Sequence, residues 1–367
     1  MDFEGKHVFF ISDRDRFFCL FGDALIAKLG LRAENVVAIV FKTDRQPMRS
    51  TRLAGASYLD YEGVEIDTLS EAKSVTFMSL NRWNSPIARR LIEADEKYLE
   101  KIHIFITDDE VDRWKQNYSA NGKLIENLGL NISDNCIYVI ERVMYFIAPK
   151  AYFHDKIREV SNRKDIIFLD ASIIFDVLPH TYSEMMRTIF CENLEFGAGG
   201  ARVLVETKGF SWKKLFRFLN NPVLQKRSSN MQFFCFINPR RRLLVEIFRA
   251  YSKFLGRASF NITYLAPMPP QMYNAMLASC THLILQDRGG ASTARLFAKW
   301  GRGRIAVRRN SPNHIFLEEC YGIDLYLYDQ EEAIDESFFD DFDSVASARK
   351  VCAEEQRSLS VLSSVYS

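Results

Sequence analysis

Leu283-Ile284-Leu285-Gln286-Asp287-Arg288-Gly289-Gly290-Ala291-Ser292-Thr293-Ala294-Arg295-Leu296 is a short apolar run that breaks on a glycine pair and resumes with helical spacing. The run has the length of a buried strand, and the segment from Ala291 to Trp300 reads as a helix closed by Gly301. A strand that feeds a helix through a tight turn is the unit of a parallel α/β sheet. The same alternation continues on both sides. Upstream lie a strand over Arg202–Glu206, a helix over Trp212–Leu219, a strand over Met231–Ile237 and a helix over Arg240–Leu255. Strand Asn261–Leu265, helix Gln271–Ala278 and strand His282–Gln286 follow, and strand Arg304–Val307 lies downstream.

The first half has the same rhythm. Lys6–Ser12, Asn35–Phe41, Val75–Leu80, Lys101–Thr107 and Asp165–Leu169 read as strands, and Arg16–Leu29, Pro86–Leu99 and Tyr182–Cys191 as helices. Lys42–Ser57 reads as a polar loop, and residues 122–152 give no clear pattern. Glu195-Phe196-Gly197-Ala198-Gly199-Gly200 interrupts the alternation with three glycines in four residues, which makes it the expected linker. The chain of 367 residues is too long for one ordinary core. It is therefore expected to form two Rossmann-like, doubly wound α/β domains, 1–196 and 197–367, with a cleft between them. Ser344–Leu362 reads as a final helix that packs back across the domains.

Composition excludes several classes. Apolar residues make up 47% and charged residues 26%, and the net charge is +1, so nothing in the whole chain points to nucleic acid or membrane. The start has no secretory pattern and no run is long enough to span a bilayer, so a cytoplasmic protein is expected. The seven cysteines are scattered without C-x-x-C or His spacing and mostly sit in apolar runs, so neither a disulfide nor a metal is expected.

The Gly289–Gly290 turn admits two readings. Glycines let the backbone approach a ligand, the free amides of a helix start attract phosphate oxygens, and Ser292, Thr293 and Arg288 add donors and charge. The plainer alternative is a tight turn in which Ser292 caps a helix. The turn is not a G-x-G-x-x-G or P-loop pattern.

Its surroundings favour the first reading. Pro267–Cys280 before the strand, and Arg308-Arg309-Asn310-Ser311-Pro312-Asn313 after the next one, resemble the donor block of GT-B glycosyltransferases. Gly290-Ala291-Ser292-Thr293 is similar to the turn of the peptidoglycan N-acetylglucosamine transferases. Tyr273–Tyr328, with Arg288, Asn310 and Gly322-Ile323-Asp324-Leu325-Tyr326, resembles the acetamido-dideoxygalactose transferase of enterobacterial common antigen synthesis. The resemblance covers about the last third of the chain. It implies a donor site of Lys208, Gly209, Arg288, Gly289, Gly290, Ser292, Thr293 and Asn310, with no cofactor and no metal. It also implies a sugar acceptor in the first domain and a place in bacterial surface polysaccharide synthesis. The sequence departs from the pattern where a Glu often holds the ribose, since Arg295 and Leu296 stand there, and the paired Glu of many retaining enzymes is missing. An inverting transfer is therefore expected.

An inverting enzyme needs a base for the acceptor hydroxyl. Asp13, just after the first strand, and Asp108 or Asp109, just after the fourth, are the candidates, with an N-terminal helix cap as the alternative for the second pair. His7, His103 and His282 fall inside strands and read as core residues. Residues 202–257 are rich in Lys and Arg with interleaved aromatics, which suits either a solvated face or a peripheral contact with anionic membrane. Expected partners are a nucleotide-sugar donor and a glycan or lipid-linked acceptor; nucleic acid is not expected. Two alternatives remain on the sequence alone: a nucleotide-sugar epimerase of the same fold, and a non-catalytic protein that binds through its basic surface.

Overall fold

The structure, a computed structural model, describes residues 2–44, 46, 52–107, 109–176, 178–189, 201–206, 211–227, 230–237, 239–254 and 261–367. The chain forms two compact units, one of residues 1–175 with 355–367 and one of residues 176–354. The domain boundary expected at Phe196–Gly197 lies outside the described residues.

Among the described residues the first unit holds a seven-stranded sheet of β1 (His7–Ser12), β2 (Val36–Phe41), β3 (Ser57–Asp60), β4 (Ser74–Met78), β5 (Ile102–Phe105), β6 (Tyr145–Ile147) and β7 (Ile167–Leu169), in the order β3-β2-β1-β4-β5-β6-β7. Every ladder in it is parallel. Parallel strands need crossovers, and the crossover helices cover both faces of the sheet, so successive side chains are all apolar. Phe9 and Phe10 show this. Phe9 packs on Phe18, Phe21 and Tyr366, whereas its neighbour Phe10 stacks on Phe77 across the other face at 4.7 Å.

The second unit holds a six-stranded parallel sheet of β8 (Ala201–Val205), β9 (Met231–Cys235), β10 (Ile262–Tyr264), β11 (His282–Ile284), β12 (Arg304–Arg308) and β13 (Tyr326–Tyr328), in the order β10-β9-β8-β11-β12-β13. Val203 and Val205 join a core with Leu215, Phe218, Phe233 and Phe338, while Leu204, between them, is buried on the opposite side. Two Rossmann-like parallel α/β units are therefore present, as the alternation predicts.

Three strands escape the sequence reading. β3 and β13 are three or four residues long, and β6 lies in the unpatterned stretch, which also holds a helix over Asp134–Ile140.

The last helix runs from Ser344 to Tyr366. Its carboxyl end belongs to the first unit, where Leu359, Leu362 and Tyr366 enter the core beside Phe9 and Phe21. Tyr366 also shares a hydrogen bond with Thr76 (2.9 Å), the Ser172 amide donates to Ser358 (2.8 Å), and Lys28 pairs with Glu355. Among the described residues no helix is long and apolar enough to cross a membrane.

Two stability predictions follow from this packing. Leu362 is fully buried, so Leu362→Ala should cost the first unit about 2–5 kcal/mol, read as a lower urea midpoint. Burial holds His7, His103 and His282 down to about 4, further lowered at His7 by Lys73 and at His282 by Arg304. All three are neutral in both states above their ordinary value of 6.5. Below it the unfolded chain takes up protons that the folded chain refuses, so the unfolded form gains. Stability should therefore fall as pH drops from about 6.5 toward about 4. A urea midpoint that stays flat between about pH 7 and about pH 5 would contradict it.

Candidate functional site

In each sheet the strand order reverses at one place, and ligands of open α/β sheets collect there, outside the carboxyl ends. In the second unit the reversal falls between β8 and β11. Glu206 follows β8, and the stretch from Leu285 to Gly290 follows β11. The Glu206 amide extends the ladder by donating to Ile284 O at 2.9 Å, so the carboxylate stands at the mouth of the turn.

Gly289 and Gly290 are both left-handed, with φ of 85° and 77°. The backbone therefore requires glycine at both positions, and a Cβ would also press on the side-chain ends of Gln286 (Nε2, 2.8 Å from position 289) and Leu285 (Cδ2, 3.2 Å from position 290). Asn313, at the start of the helix Pro312–Tyr321, holds the turn in place. Its side-chain amide donates to Gln286 O and Gly289 O, both at 2.7 Å, and its backbone amide donates to Asp287 O at 3.1 Å. Lys214 and Arg308 both reach Asp287 Oδ2, the second at 3.1 Å, and hold the outer side of the turn.

The helix Ala291–Lys299 then begins with Gly290 as its cap residue, which supplies no side-chain hydrogen bond. Its first amides have no intrahelical acceptor, a geometry that suits an anion. Ser292 and Arg288 are exposed beside them. Ser292 therefore does not cap this helix, contrary to the plainer sequence reading. Thr293 points inward, with its hydroxyl 3.1 Å from Tyr273 Oη, and Tyr273 donates to Glu206 Oε1 at 2.9 Å. Burial, and then the Glu206 charge, push the Tyr273 phenol far above its usual range, so it remains a hydrogen-bond donor. Asn310 sits past the end of β12, next to β11, in the left-handed region at φ 57°, and donates its amide to His314 Nδ1 at 3.0 Å.

Arg295, standing where the related pattern has a ribose-binding Glu, is almost completely buried and pairs with Asp176. Asp176 also accepts from Lys299 (3.3 Å) and Ser183 (2.9 Å). This carboxylate ties the helix to the helix His180–Arg187 through Ser183 and gives Arg295 a structural task. Lys208 and Gly209 lie outside the described residues.

In the first unit the strand order reverses between β1 and β4. Asp13 follows β1, and its Oδ1 accepts from the Thr43 hydroxyl (2.8 Å) and amide (3.3 Å). Ser79, just past β4, is left-handed at φ 68°, held by its amide on Phe105 O and its carbonyl on Asn84. Such strain in a non-glycine residue at a strand end marks a place where the surroundings dictate the backbone. Beside these ends lies a cavity of about 400 Å³ lined by Phe41, Lys42, Asp60, Tyr61, Trp83 and Arg90. Asp15 is a structural partner instead, since its Oδ1 accepts the amides of Phe17 and Phe18 at the start of the helix Phe18–Leu29. Asp109 pairs with Arg113 at 2.9 Å and starts the helix Glu110–Asn121 without capping it through its side chain. Asp108 lies outside the described residues.

The sequence reading overlooked Glu206, Tyr273, Asn313 and Lys214. Glu206 had a visible signal, an acidic residue right after a buried strand; the others gain their meaning from contacts over 20 or more residues.

No family model matches the chain, and no curated protein matches it by sequence. Solved structures do match. UDP-GlcNAc 2-epimerase from Neisseria meningitidis, bound to UDP-GlcNAc, aligns over 98% of both chains at 12% identity with a TM-score of 0.54. Anabaena HepE, in complex with UDP and glucose, aligns over 99% of this chain and 96% of its own at 9% identity and a TM-score of 0.51. A glycosyltransferase from Rickettsia africae aligns over 99% and 94% at 9% identity and 0.51. The chain thus has the two-unit Rossmann-like fold of GT-B glycosyltransferases and nucleotide-sugar epimerases. At these identities the likeness concerns the fold.

The Asn313 contacts give a direct test of the turn. Asn313→Ala leaves the buried carbonyl of Gln286, and that of Gly289 on the exposed turn, without that donor, so it should lower stability by about 1–3 kcal/mol. The loss is to be read by denaturant melts, with Asn310→Ala, an exposed position, changing them by about 0.5 kcal/mol or less.

Proposed function

We propose that this protein is an inverting glycosyltransferase that takes a sugar from a nucleoside-diphosphate donor held at the Gly289–Gly290 turn. The observation that carries the reading is the mixed chemistry gathered where β8 and β11 diverge. Uncapped helix amides and the Arg288 guanidinium suit phosphate oxygens. The Glu206 carboxylate, with Tyr273 and Thr293 beside it, suits the hydroxyls of a ribose or sugar. A ligand that carries both kinds of group is a nucleotide sugar.

In this reading Arg288 and Ser292 stabilise the charge that grows on the leaving diphosphate, Lys208 and Gly209 being further candidates from the sequence resemblance, and no metal is needed. Asn310, past the neighbouring strand, borders the same site. The acceptor binds the first unit, in the cavity beside β2 and β3, where aromatic and charged groups suit a glycan or a lipid-linked glycan. Asp13 stands at that unit's own strand reversal and is preferred over Asp109, whose carboxylate is engaged by Arg113. Its carboxylate takes the proton of the acceptor hydroxyl as the oxygen attacks the anomeric carbon. The bond from that carbon to the diphosphate breaks, and the nucleoside diphosphate leaves with the electron pair. A role in building bacterial surface polysaccharide is consistent with such an acceptor.

Calorimetry with a panel of nucleoside diphosphates tests the donor half. One of them should bind selectively, and Arg288→Ala should weaken it by about 1–3 kcal/mol, the range for a charge-assisted contact. Unchanged affinity would remove Arg288 from the site. Asp13→Asn should leave that affinity intact while lowering acceptor-dependent transfer by about 10²–10⁴-fold. Conversion of the donor with no acceptor present would favour an epimerase instead.

A further inference from the structure

The second unit carries an apolar surface that its own core does not use. In the helix Pro239–Phe254, Val245 is buried in the core and Phe248 packs against it. Leu243, Leu244, Ile247, Tyr251 and Phe254 lie on a different face, between 47% and 86% exposed. At 3.6 residues per turn these five positions fall within an arc of about 100°, so they form one continuous stripe. Phe216, on the helix Trp212–Leu219, is 58% exposed and meets Phe248 edge-on at 5.2 Å, which joins the two helices into one surface. Between them runs an open groove of about 290 Å³ whose lining includes Leu219, Leu244 and Tyr251. A helix that is apolar toward its core and again toward solvent implies something that covers the second face.

The charges around the stripe identify the occupant. Residues 211–254 contain ten Lys and Arg against one acidic residue, Glu246. Some of those cations serve the fold: Lys214 pairs with Asp287, Arg227 with Glu336, and Arg242 donates to Ile237 O and Leu265 O. Lys213 and Lys253, on the two helices that carry the apolar stripe, are exposed, as is Lys226 on the short helix Pro222–Arg227. A second copy of this chain, docked through the same face, would bring one cation-rich surface against another. A bilayer offers what the surface lacks, an apolar interior below a layer of phosphates.

We propose that this face, built from the helices Trp212–Leu219 and Pro239–Phe254, seats the protein on an anionic lipid surface. Leu243, Ile247, Phe254 and Phe216 enter the headgroup–acyl boundary, while the lysines meet lipid phosphates. None of these residues belongs to the donor turn. The proposal therefore stands without the glycosyltransferase reading, and the two can fail separately.

Flotation of the full chain with lipid vesicles tests it. With vesicles of phosphatidylglycerol and phosphatidylcholine at low salt, the protein should float. With phosphatidylcholine alone, or at high salt, the bound fraction should fall at least tenfold, about one order of magnitude, as a screened contact requires. Ile247→Ser with Phe254→Ser should abolish flotation, since the apolar insertion is lost. Lys213→Glu with Lys253→Glu should abolish the preference for anionic lipid. Both pairs are exposed, so melting curves should match the parent, and nucleoside-diphosphate affinity, measured in parallel, should not move. Equal flotation with and without the anionic lipid would overturn the proposal, as would flotation that survives the Ser pair. Sedimentation that shows a dimer of the parent and a monomer of the Ser pair would overturn it too, by making a second copy the occupant.

Discussion

Parallel pairing is the constraint from which the rest of this architecture follows. Every ladder in both sheets is parallel, so within each sheet all strand carboxyl ends face one edge. Each crossover must return along a face of the sheet, and the returning segments bury both faces. A strand such as Val36–Phe41 then has almost no exposed position on which to carry chemistry. Polar groups that are to meet a ligand must stand on the loops past the strand ends. Where the strand order reverses, the crossovers leave in opposite directions and the edge opens. Asp13 and Ser79 flank that opening in the first unit, and Glu206 and the glycine pair flank it in the second.

The same constraint explains what can be read from the sequence. Strands buried on both faces are runs such as Val-Phe-Phe-Ile or Val-Val-Ala-Ile-Val-Phe, and their alternation with helices gives the fold class directly. β3 has only half-buried or exposed residues because it lies at the sheet edge, so its pattern is lost. β6 lies in the stretch that shows no clear pattern, and β13 follows the helix Pro312–Tyr321, whose polar start reads as a loop, so no alternation places either strand. The glycine pair is legible because left-handed backbone has a residue signature. Asn313 is not, since an asparagine in a polar loop looks alike whether it faces water or bridges two carbonyls 24 and 27 residues away. Arg295 was legible only as a departure from the related pattern, where a ribose-binding Glu is missing, and its burial against Asp176 assigns it to the fold.

The basic segment shows how one composition can serve two ends. Read as a sequence, residues 202–257 leave a solvated face and a membrane face undecided. In the structure the aromatics separate: Phe218 is in the core, and Phe216 faces solvent. The cations separate as well. Lys214 holds Asp287 beside the glycine turn, while Lys213, the next residue back along the helix, is exposed. A helix that covers a sheet has one face committed to the core, so the opposite face is free to acquire a second role at little cost to the fold.

The start of the helix Ala291–Lys299 carries the argument about function one step further. Side-chain caps close other helices of this protein: Ser311 accepts the His314 amide, Ser211 that of Lys214 and Ser133 that of Cys136. A cap of this kind is worth about 1 kcal/mol. At position 290 a glycine stands instead, in a left-handed conformation that a serine would adopt only under strain, and hydroxyl residues follow at 292 and 293. The stability forgone there is of the same order as what the aligned amides and the helix dipole gain from an anion, about 1 kcal/mol. Asn313 braces this turn through the carbonyls of Gln286 and Gly289. The amides at the helix start are thus held by the residues around the turn, and the proposed diphosphate site rests on that geometry.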